Sequence, residues 1–93
     1  MQAQPGDEIV VRLPESPATG YRWHIDAIEG VVELEGDSFE LGGNTAPGAG
    51  GTREFRFRAT APGTGRIGLK HWREWEGDSS VTARFAADVT VAD

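Results

Sequence analysis

The sequence predicts an all-β sandwich, and three observations lead to that prediction. Apolar and polar residues alternate in short segments; in Thr52–Thr60, for example, Phe55, Phe57 and Ala59 alternate with charged residues. Turn-forming residues recur about every 8–12 residues between such segments. The 13 glycines and 5 prolines leave no window for a long helix. About six to eight short strands in two packed sheets account for all three observations.

Glycine and proline bound each predicted strand. The first, Glu8–Leu13, ends at Pro14, because proline fixes φ and lacks an N–H group. In the second, at residues 21–28, Tyr21, Trp23 and Ile25 share one face and His24 lies on the solvent face. The remaining strands are predicted at residues 31–41 (two short strands broken near Gly36–Ser38), 52–60, 66–73 and 81–91.

The connections between these strands alternate between long and minimal. The long connections lie at residues 14–20, 42–51 and 73–80, and the minimal ones at 29–30 and 61–65. If consecutive strands run antiparallel, alternate connections lie at opposite ends of the sandwich, so the three long loops share one end. Their placement at one end requires that residues 31–41 contain no chain reversal. A sandwich with elaborate loops at one end is built like a binding module, as in antibody variable domains.

Composition limits the partners and the compartment. The 93 residues form a single domain, residues 1–93, and the net charge of −6 argues against a nucleic-acid partner. No apolar run approaches the about 18 residues of a membrane span. The absence of cysteine excludes disulfides, thiolate metal sites and a cysteine nucleophile. The polar start of the chain predicts no signal peptide and is compatible with a mature N-terminus behind an added Met. We expect a monomer, periplasmic or secreted rather than cytoplasmic.

No motif indicates an enzyme, a metal site or a cofactor. Residues 63–68 match G-x-G-x-x-G, but a strand follows them where a dinucleotide site needs a helix. His24 and His71 lack the spacing of a zinc site. A hydrolase could combine Ser16 and Asp26 with a histidine, but the G-x-S-x-G turn is absent. We therefore expect no catalytic residue, no metal ligand and no cofactor.

The tryptophans divide into a core residue and two surface candidates. Trp23 lies on the predicted core face of its strand. Trp72 and Trp75 flank Arg73-Glu74 at a strand end, and an exposed Trp beside Arg is a common interface anchor. The glycine-rich loop 42–51 is either a flexible connector or a segment whose bare backbone a partner can approach closely.

Three segments, in order, resemble the loop motifs of one family. They are Ser16-Pro17-Ala18-Thr19-Gly20-Tyr21, Gly48-Ala49-Gly50-Gly51 and Arg73-Glu74-Trp75. They resemble the N-P-T-T-G-Y/F, G-x-G-G and R-P-W/F motifs of the chagasin-type inhibitors of cysteine peptidases, and the likeness covers nearly the whole chain. It implies an immunoglobulin-like antiparallel β-sandwich of about seven to eight strands. It also implies that three loops at one end fill the catalytic cleft of a papain-like cysteine peptidase.

The resemblance assigns a role to each segment. The first loop would lie over the catalytic centre, with the Thr19 hydroxyl near the peptidase's catalytic histidine. Gly48–Gly51 would pair its backbone with the enzyme along the non-primed side. Arg73–Trp75 would pack on the primed side, with Trp75 stacking on an aromatic wall. The residues implied to bind the peptidase are Ser16, Pro17, Ala18, Thr19, Gly20, Tyr21, Gly48, Ala49, Gly50, Gly51, Arg73, Glu74 and Trp75.

The chain departs from the family motifs at three positions. Ser16 replaces Asn and can still cap a turn through its hydroxyl. Ala18 replaces Thr, which removes a polar contact at the tip of the first loop. Glu74 replaces Pro, which makes the third loop less rigid and adds a negative charge.

Together these observations favour a reversible, tight-binding inhibitor of papain-family cysteine peptidases that acts by occlusion. The alternative is an adhesion or carbohydrate-binding module in which Tyr21, Trp72 and Trp75 form a stacking platform. The sequence does not indicate which peptidase would be the physiological target.

Overall fold

The described part of the chain folds into seven β-strands and three short 3-10 turns. The computed structural model describes residues 1–41 and 50–93. The strands are β1 (Gln2–Ala3), β2 (Glu8–Glu15), β3 (Arg22–Gly30), β4 (Val32–Leu41), β5 (Gly51–Ala59), β6 (Gly63–Trp72) and β7 (Ala83–Val91). The 3-10 turns span Pro17–Thr19, Glu74–Glu76 and Asp78–Ser80. The described residues contain no α-helix, and the predicted all-β class is confirmed.

The strands form two sheets, one of four strands in the order β1-β7-β6-β3 and one of three in the order β2-β5-β4. All neighbours run antiparallel except β1 and β7, which are parallel. The short strand β1 was not predicted, because two residues are too few to show an alternating pattern. No helix in residues 1–41 and 50–93 is long and apolar enough to cross a membrane.

The core lies between the inner faces of the two sheets. Its largest fully buried side chains are Phe57 on β5, Ile67 and Leu69 on β6, and Val89 on β7. Trp23 is buried too, at 9% exposed, so its predicted place in the core is confirmed. The predicted alternation of β5 is likewise confirmed, since Phe55, Phe57 and Ala59 are all buried. The other buried apolar residues are Ala3, Ile9, Val11, Val32 and Val91.

The prediction that Pro14 ends its strand is wrong. β2 continues through Pro14, which lies opposite Thr52 of β5, and ends one residue later at Glu15. β2 is an edge strand with one neighbour only, and a proline is tolerated on such a strand because an edge strand does not need every N–H for pairing.

The prediction of two short strands at residues 31–41 is also wrong. β4 is continuous from Val32 to Leu41 and pairs with β5 along its length. A register shift between Leu34 and Gly36 marks a β-bulge, in which Glu35 is the extra residue. The chain does not reverse here, so the condition for placing the three long loops at one end is met.

Candidate functional site

The described ends of the three long connections lie at one end of the sandwich. In the three-stranded sheet, Gly51 lies opposite both Glu15 and Leu41, so the first and second connections begin or end side by side. In the other sheet, Arg22 lies opposite Trp72, which brings the first and third connections together. Gly42–Ala49 lie outside the described residues, and the predicted contacts of Gly48 and Ala49 lie there with them.

Loop 1, residues 16–21, is closed by its own hydrogen bonds. Pro17–Thr19 form a 3-10 turn, and the Thr19 N–H donates to the carbonyl oxygen of Ser16 at 3.1 Å. The Thr19 hydroxyl donates to the same oxygen at 2.8 Å and accepts the N–H of Tyr21 at 3.3 Å. Ala18 and Thr19 are exposed at the tip. The Thr19 hydroxyl therefore braces the loop, and one of its lone pairs stays free to accept a further hydrogen bond.

Loop 3, residues 73–82, contains two consecutive 3-10 turns held around one serine. The hydroxyl of Ser80 accepts the N–H of Arg73 at 3.0 Å and lies within hydrogen-bond distance of the carbonyl oxygens of Arg73 and Gly77. The N–H groups of Glu76 and Gly77 donate to the carbonyl oxygens of Arg73 and Glu74. This set of bonds shapes the loop without the proline that the family motif places at position 74.

Arg73 joins loop 3 to loop 1. Its Nε donates to the carbonyl oxygen of Thr19 at 3.2 Å, and its guanidinium carbon lies 4.4 Å from the centre of the Tyr21 ring. Its Nη1 also meets the carboxylate of Glu76, on its own loop, at 3.3 Å. A planar guanidinium can bond and stack at the same time, so one side chain fixes the spacing of the two loops.

Trp75 is the most exposed large apolar side chain at this end, at 73% exposed. Its ring lies against the backbone of Gly20, where an added Cβ would approach Cη2 of Trp75 to 2.7 Å. Gly20 also has a positive φ of 79°, a conformation that disfavours other residues. Gly20 thus has two separate reasons to be glycine, and the second one concerns Trp75.

Aromatic rings support the two loops from below. Tyr21 stacks on His71 with ring centres 5.5 Å apart, and His71 lies 5.0 Å from the core ring of Trp23. The Trp23 indole N–H donates to the carbonyl oxygen of Pro14, on the other side of loop 1. Tyr21 and Trp23 therefore anchor loop 1 to the sheet. Stacking by His71 and Arg73 occupies the Tyr21 ring, so Tyr21, Trp72 and Trp75 do not form a free platform for a sugar.

Gly51 is required by the strand pairing itself. A Cβ at Gly51 would overlap the carbonyl oxygen of Glu40 and approach Cζ of Phe39 to 2.6 Å. Gly50 is exposed at the entrance to β5, and a Cβ there would meet the carbonyl oxygen of Glu15 at 3.6 Å, an ordinary contact. The segment that approaches the bare backbone of Gly51 is therefore β4 of the same chain.

Trp72 is half-buried on the outer face of the four-stranded sheet. Its indole N–H donates to Nδ1 of His24 at 2.9 Å, and the Lys70 ammonium lies 3.6 Å from the centre of its ring. Nε2 of His24 lies 3.8 Å from the carboxylate of Glu74, whose side chain is 74% exposed. Trp72 therefore packs against side chains of the sheet, whereas Glu74 and Trp75 extend outward from it.

The residues considered for a metal site or a hydrolase have other partners. His71 lies 2.7 Å from the hydroxyl of Thr82, and Asp26 binds Arg84 at 2.8 Å and Lys70 at 3.7 Å. Ser16 contributes its carbonyl oxygen to the turn of loop 1. Among residues 1–41 and 50–93, no three histidine or carboxylate side chains gather as metal ligands. Gly63, Gly65 and Gly68 all lie within β6, so a strand and not a helix forms here, although the strand begins at Gly63 and not at residue 66 as predicted.

Sequence reasoning missed one feature beneath the loops, the pair of Glu15 and Arg53. Glu15 accepts the backbone N–H of Trp23 at 2.7 Å and two hydrogen bonds from Arg53 at 3.0 and 2.9 Å. A glutamate at the end of a strand gives no local signal, because its partners lie 8 and 38 residues away.

A family model described as the chagasin family peptidase inhibitor I42 matches residues 2–89. The chain belongs to the chagasin family of peptidase inhibitors. The class predicted from the sequence, a peptidase inhibitor and not an enzyme, is confirmed by this match. No curated protein matches the chain by direct comparison.

Two solved structures resemble the chain over almost its whole length. The crystal structure of the cysteine protease inhibitor EhICP2 from Entamoeba histolytica has a TM-score of 0.85 and 23% identity, and the match covers 98% of this chain and 84% of that one. The solution structure of amebosin has a TM-score of 0.80 and 25% identity, covering 98% of this chain and 86% of that one. At 23% and 25% identity, these two matches show that the chain shares its fold with both proteins.

Proposed function

We propose that this member of the chagasin family is a reversible, tight-binding inhibitor of papain-family cysteine peptidases. It would block the catalytic cleft with loop 1, the glycine-rich second loop and loop 3. Support comes from the family match over residues 2–89 and from the similarity to a cysteine protease inhibitor. The observation that carries the proposal is the joined edge of loops 1 and 3, where Arg73 bonds to Thr19 and the exposed Trp75 lies against Gly20.

Occlusion requires a surface that is shaped before it binds. A preformed edge loses little conformational entropy on association, and this raises affinity without any covalent step. The hydrogen bonds within loop 1, those around Ser80 in loop 3 and the Arg73 bridge supply that shape. Trp75 then offers a large rigid ring to an aromatic or apolar wall of the peptidase, as interface hot spots do.

Thr19 would face the catalytic histidine of the peptidase as a hydrogen-bond acceptor. Its hydroxyl hydrogen is already directed to the carbonyl oxygen of Ser16. The remaining lone pair suits an imidazolium N–H, which is the charged form that a thiolate–imidazolium pair presents. The carboxylate of Glu74, close to Trp75, adds a negative charge to the primed-side part of the edge.

The same protein would act as a monomer. β3 and β4 are edge strands, and each contains a β-bulge with an acidic residue at the irregular position, Asp26 in β3 and Glu35 in β4. Bulges and charges at sheet edges oppose edge-to-edge pairing between copies. A periplasmic or secreted location stays a prediction of the sequence.

The decisive experiment is a titration of papain and of a cathepsin L-like enzyme with the purified protein. We expect inhibition that is competitive with a small peptide substrate, is reversed on dilution and leaves the protein uncleaved. Papain whose thiol carries a small blocking group should still bind the protein, because occlusion does not use the nucleophile; a trypsin-like serine peptidase is the negative control. No inhibition at micromolar protein would refute the proposal.

A further inference from the structure

Glu15 carries a fully buried charged side chain directly below the loop-bearing end. It is the last residue of β2, and among the described residues no other ionisable side chain is classed as buried. It lies where loop 1 leaves the sheet. The burial of a carboxylate is costly unless hydrogen bonds and an opposite charge compensate it. The partners of the Glu15 carboxylate therefore indicate its role.

Those partners belong to both sheets. Oε1 of Glu15 accepts the backbone N–H of Trp23, the second residue of β3, at 2.7 Å. Oε2 accepts Nε and Nη2 of Arg53, near the start of β5, at 3.0 and 2.9 Å. The carboxylate thus ties together the two ends of loop 1 and the strand into which the second loop leads.

Arg53 extends the link to the strand from which the second loop departs. Its Nη1 binds the carboxylate of Asp37 on β4 at 3.0 Å, and its guanidinium lies 5.3 Å from the centre of the Phe39 ring. The Arg53 side chain is 16% exposed, so it is largely shielded from solvent. Through Glu15 and Arg53, the ends of β2, β3 and β5 at this end of the molecule are joined by directional bonds to one another and to Asp37 in the middle of β4.

Stability alone does not explain this arrangement. An apolar pair of similar volume often replaces a buried ion pair without loss of stability, because the two charges must be removed from water. Apolar contacts are not directional, whereas a carboxylate bonded to an N–H and to a guanidinium fork fixes both distance and angle. The ion pair therefore fixes the orientation of the strand ends that carry the inhibitory edge, the surface formed by loops 1 and 3. A binding surface needs such a fixed orientation more than a core does.

We propose that Glu15 is a positioning residue of the inhibitory edge. With Arg53 as its partner, it sets the angle at which loop 1 leaves the sandwich and positions the backbone at Gly50 and Gly51, and it contacts no peptidase residue itself. This inference rests on the proposed function, and it concerns a residue outside the three loop motifs. Its consequence is that affinity for the peptidase depends on a buried charge pair that stability does not require.

The test compares two double variants that each remove an ion pair bridging β2 and β5. Glu15→Leu/Arg53→Leu removes the buried pair below the loops. Arg12→Leu/Glu54→Leu removes an exposed pair of equal length, 2.9 Å, on the outer face of the same two strands. We expect the first variant to stay folded, with a somewhat lower unfolding midpoint because the Trp23 N–H loses its acceptor, and to raise the inhibition constant for papain about tenfold or more. The second variant should leave the inhibition constant unchanged.

A second readout is independent of the peptidase. Backbone amide signals of Thr19, Gly20, Gly50 and Gly51 should shift in the Glu15→Leu/Arg53→Leu variant and stay in place in the Arg12→Leu/Glu54→Leu variant. A stable Glu15→Leu/Arg53→Leu protein with the inhibition constant and loop signals of the unsubstituted protein would overturn the inference. If that variant does not fold, Glu15→Gln decides, because it is isosteric and turns an amide toward Arg53; unchanged inhibition by Glu15→Gln would equally overturn it.

The two possible failures are distinguishable. If the unsubstituted protein does not inhibit papain, the proposed function fails, and the amide signals alone decide whether Glu15 positions the loops. If the unsubstituted protein inhibits and both double variants inhibit equally well, only the role of Glu15 fails.

Discussion

Gly20 of loop 1 and Trp75 of loop 3 are in contact, and the contact leaves no room for a side chain at position 20. A Cβ there would lie 2.7 Å from Cη2 and 3.2 Å from Cζ2 of the Trp75 indole. Two loops separated by 55 positions in the chain, 75 minus 20, thus form one continuous surface. The exposed indole keeps its orientation only while the backbone of loop 1 stays bare.

Gly20→Ala should therefore weaken inhibition more than it weakens the fold. Alanine at a φ of 79° costs about 1–2 kcal/mol in unfolding free energy. The added methyl group also displaces the Trp75 ring, and we expect the inhibition constant to rise about tenfold, equivalent to about 1.4 kcal/mol. Urea unfolding and a papain titration measure the two effects separately.

Gly6→Ala is the matched control for that substitution. Gly6 has a φ of 90°, but a Cβ there meets nothing within 4 Å, and its N–H bonds to Ala59 at the opposite end of β5. The same conformational cost without the clash should lower stability and leave inhibition unchanged. Equal inhibition constants for Gly20→Ala and Gly6→Ala would contradict the role given to the contact between Gly20 and Trp75.

Trp75→Ala should weaken inhibition by about 1–3 kcal/mol, or about 5- to 150-fold, as for an interface hot spot. The side chain is 73% exposed, so its removal should change the unfolding free energy by less than about 0.5 kcal/mol. Val10→Ala is the control, because Val10 is a partly exposed apolar residue in the middle of β2, away from the loops. Unchanged inhibition by Trp75→Ala would remove Trp75 from the interface.

The parts of the fold that sequence predicted are those with a local cause. Alternating residues identified β5, and the alternation of long and short connections placed the loops at one end because antiparallel order follows from simple geometry. The end of β2 and the continuity of β4 were mispredicted, because an edge position and a β-bulge depend on which strand lies alongside.

The candidate site divides in the same way. The exposure of Trp75 could be predicted from its position at a strand end, and the burial of Trp23 from the face of the strand on which it lies. The bond from Arg73 to Thr19 and the pair of Glu15 and Arg53 could not, since each joins residues that are distant in sequence. Such contacts are set by tertiary packing and leave no periodic pattern.

Glu74→Pro should stabilise the protein and preserve inhibition. Arg73 before it is already extended, with φ −99° and ψ 112°, as a residue before proline must be, and the Glu74 N–H donates no hydrogen bond among those described. Proline there restricts the unfolded chain, which should add about 0.4–1 kcal/mol to the unfolding free energy. Glu76→Pro is the contrasting variant, because it removes the bond from the Glu76 N–H to Arg73 and should destabilise loop 3. A lower unfolding midpoint for Glu74→Pro would show that loop 3 needs a different backbone.

Acid should destabilise the protein in part through Glu54, on the outer face of the three-stranded sheet. Hydrogen bonds from Arg12 and Arg56, at 2.9 and 3.0 Å, lower the pKa of Glu54 below its ordinary value of 4.5. Because the folded state holds this proton less tightly than the unfolded state, the carboxylate stabilises the protein above pH 4.5, and that contribution is lost as the pH falls through the lowered pKa. Urea unfolding at pH 7, 5, 4 and 3 should therefore show a smaller acid-induced loss of stability in Glu54→Gln than in the unsubstituted protein.

Glu29→Gln is the control for this substitution, because Glu29 is an exposed carboxylate without an ion pair in the described residues. Its loss of stability in acid should equal that of the unsubstituted protein. All three proteins should inhibit papain equally at pH 7, because this face of the sheet lies away from the loops. Parallel profiles of stability against pH for Glu54→Gln and the unsubstituted protein would show that the two arginines do not couple Glu54 to folding.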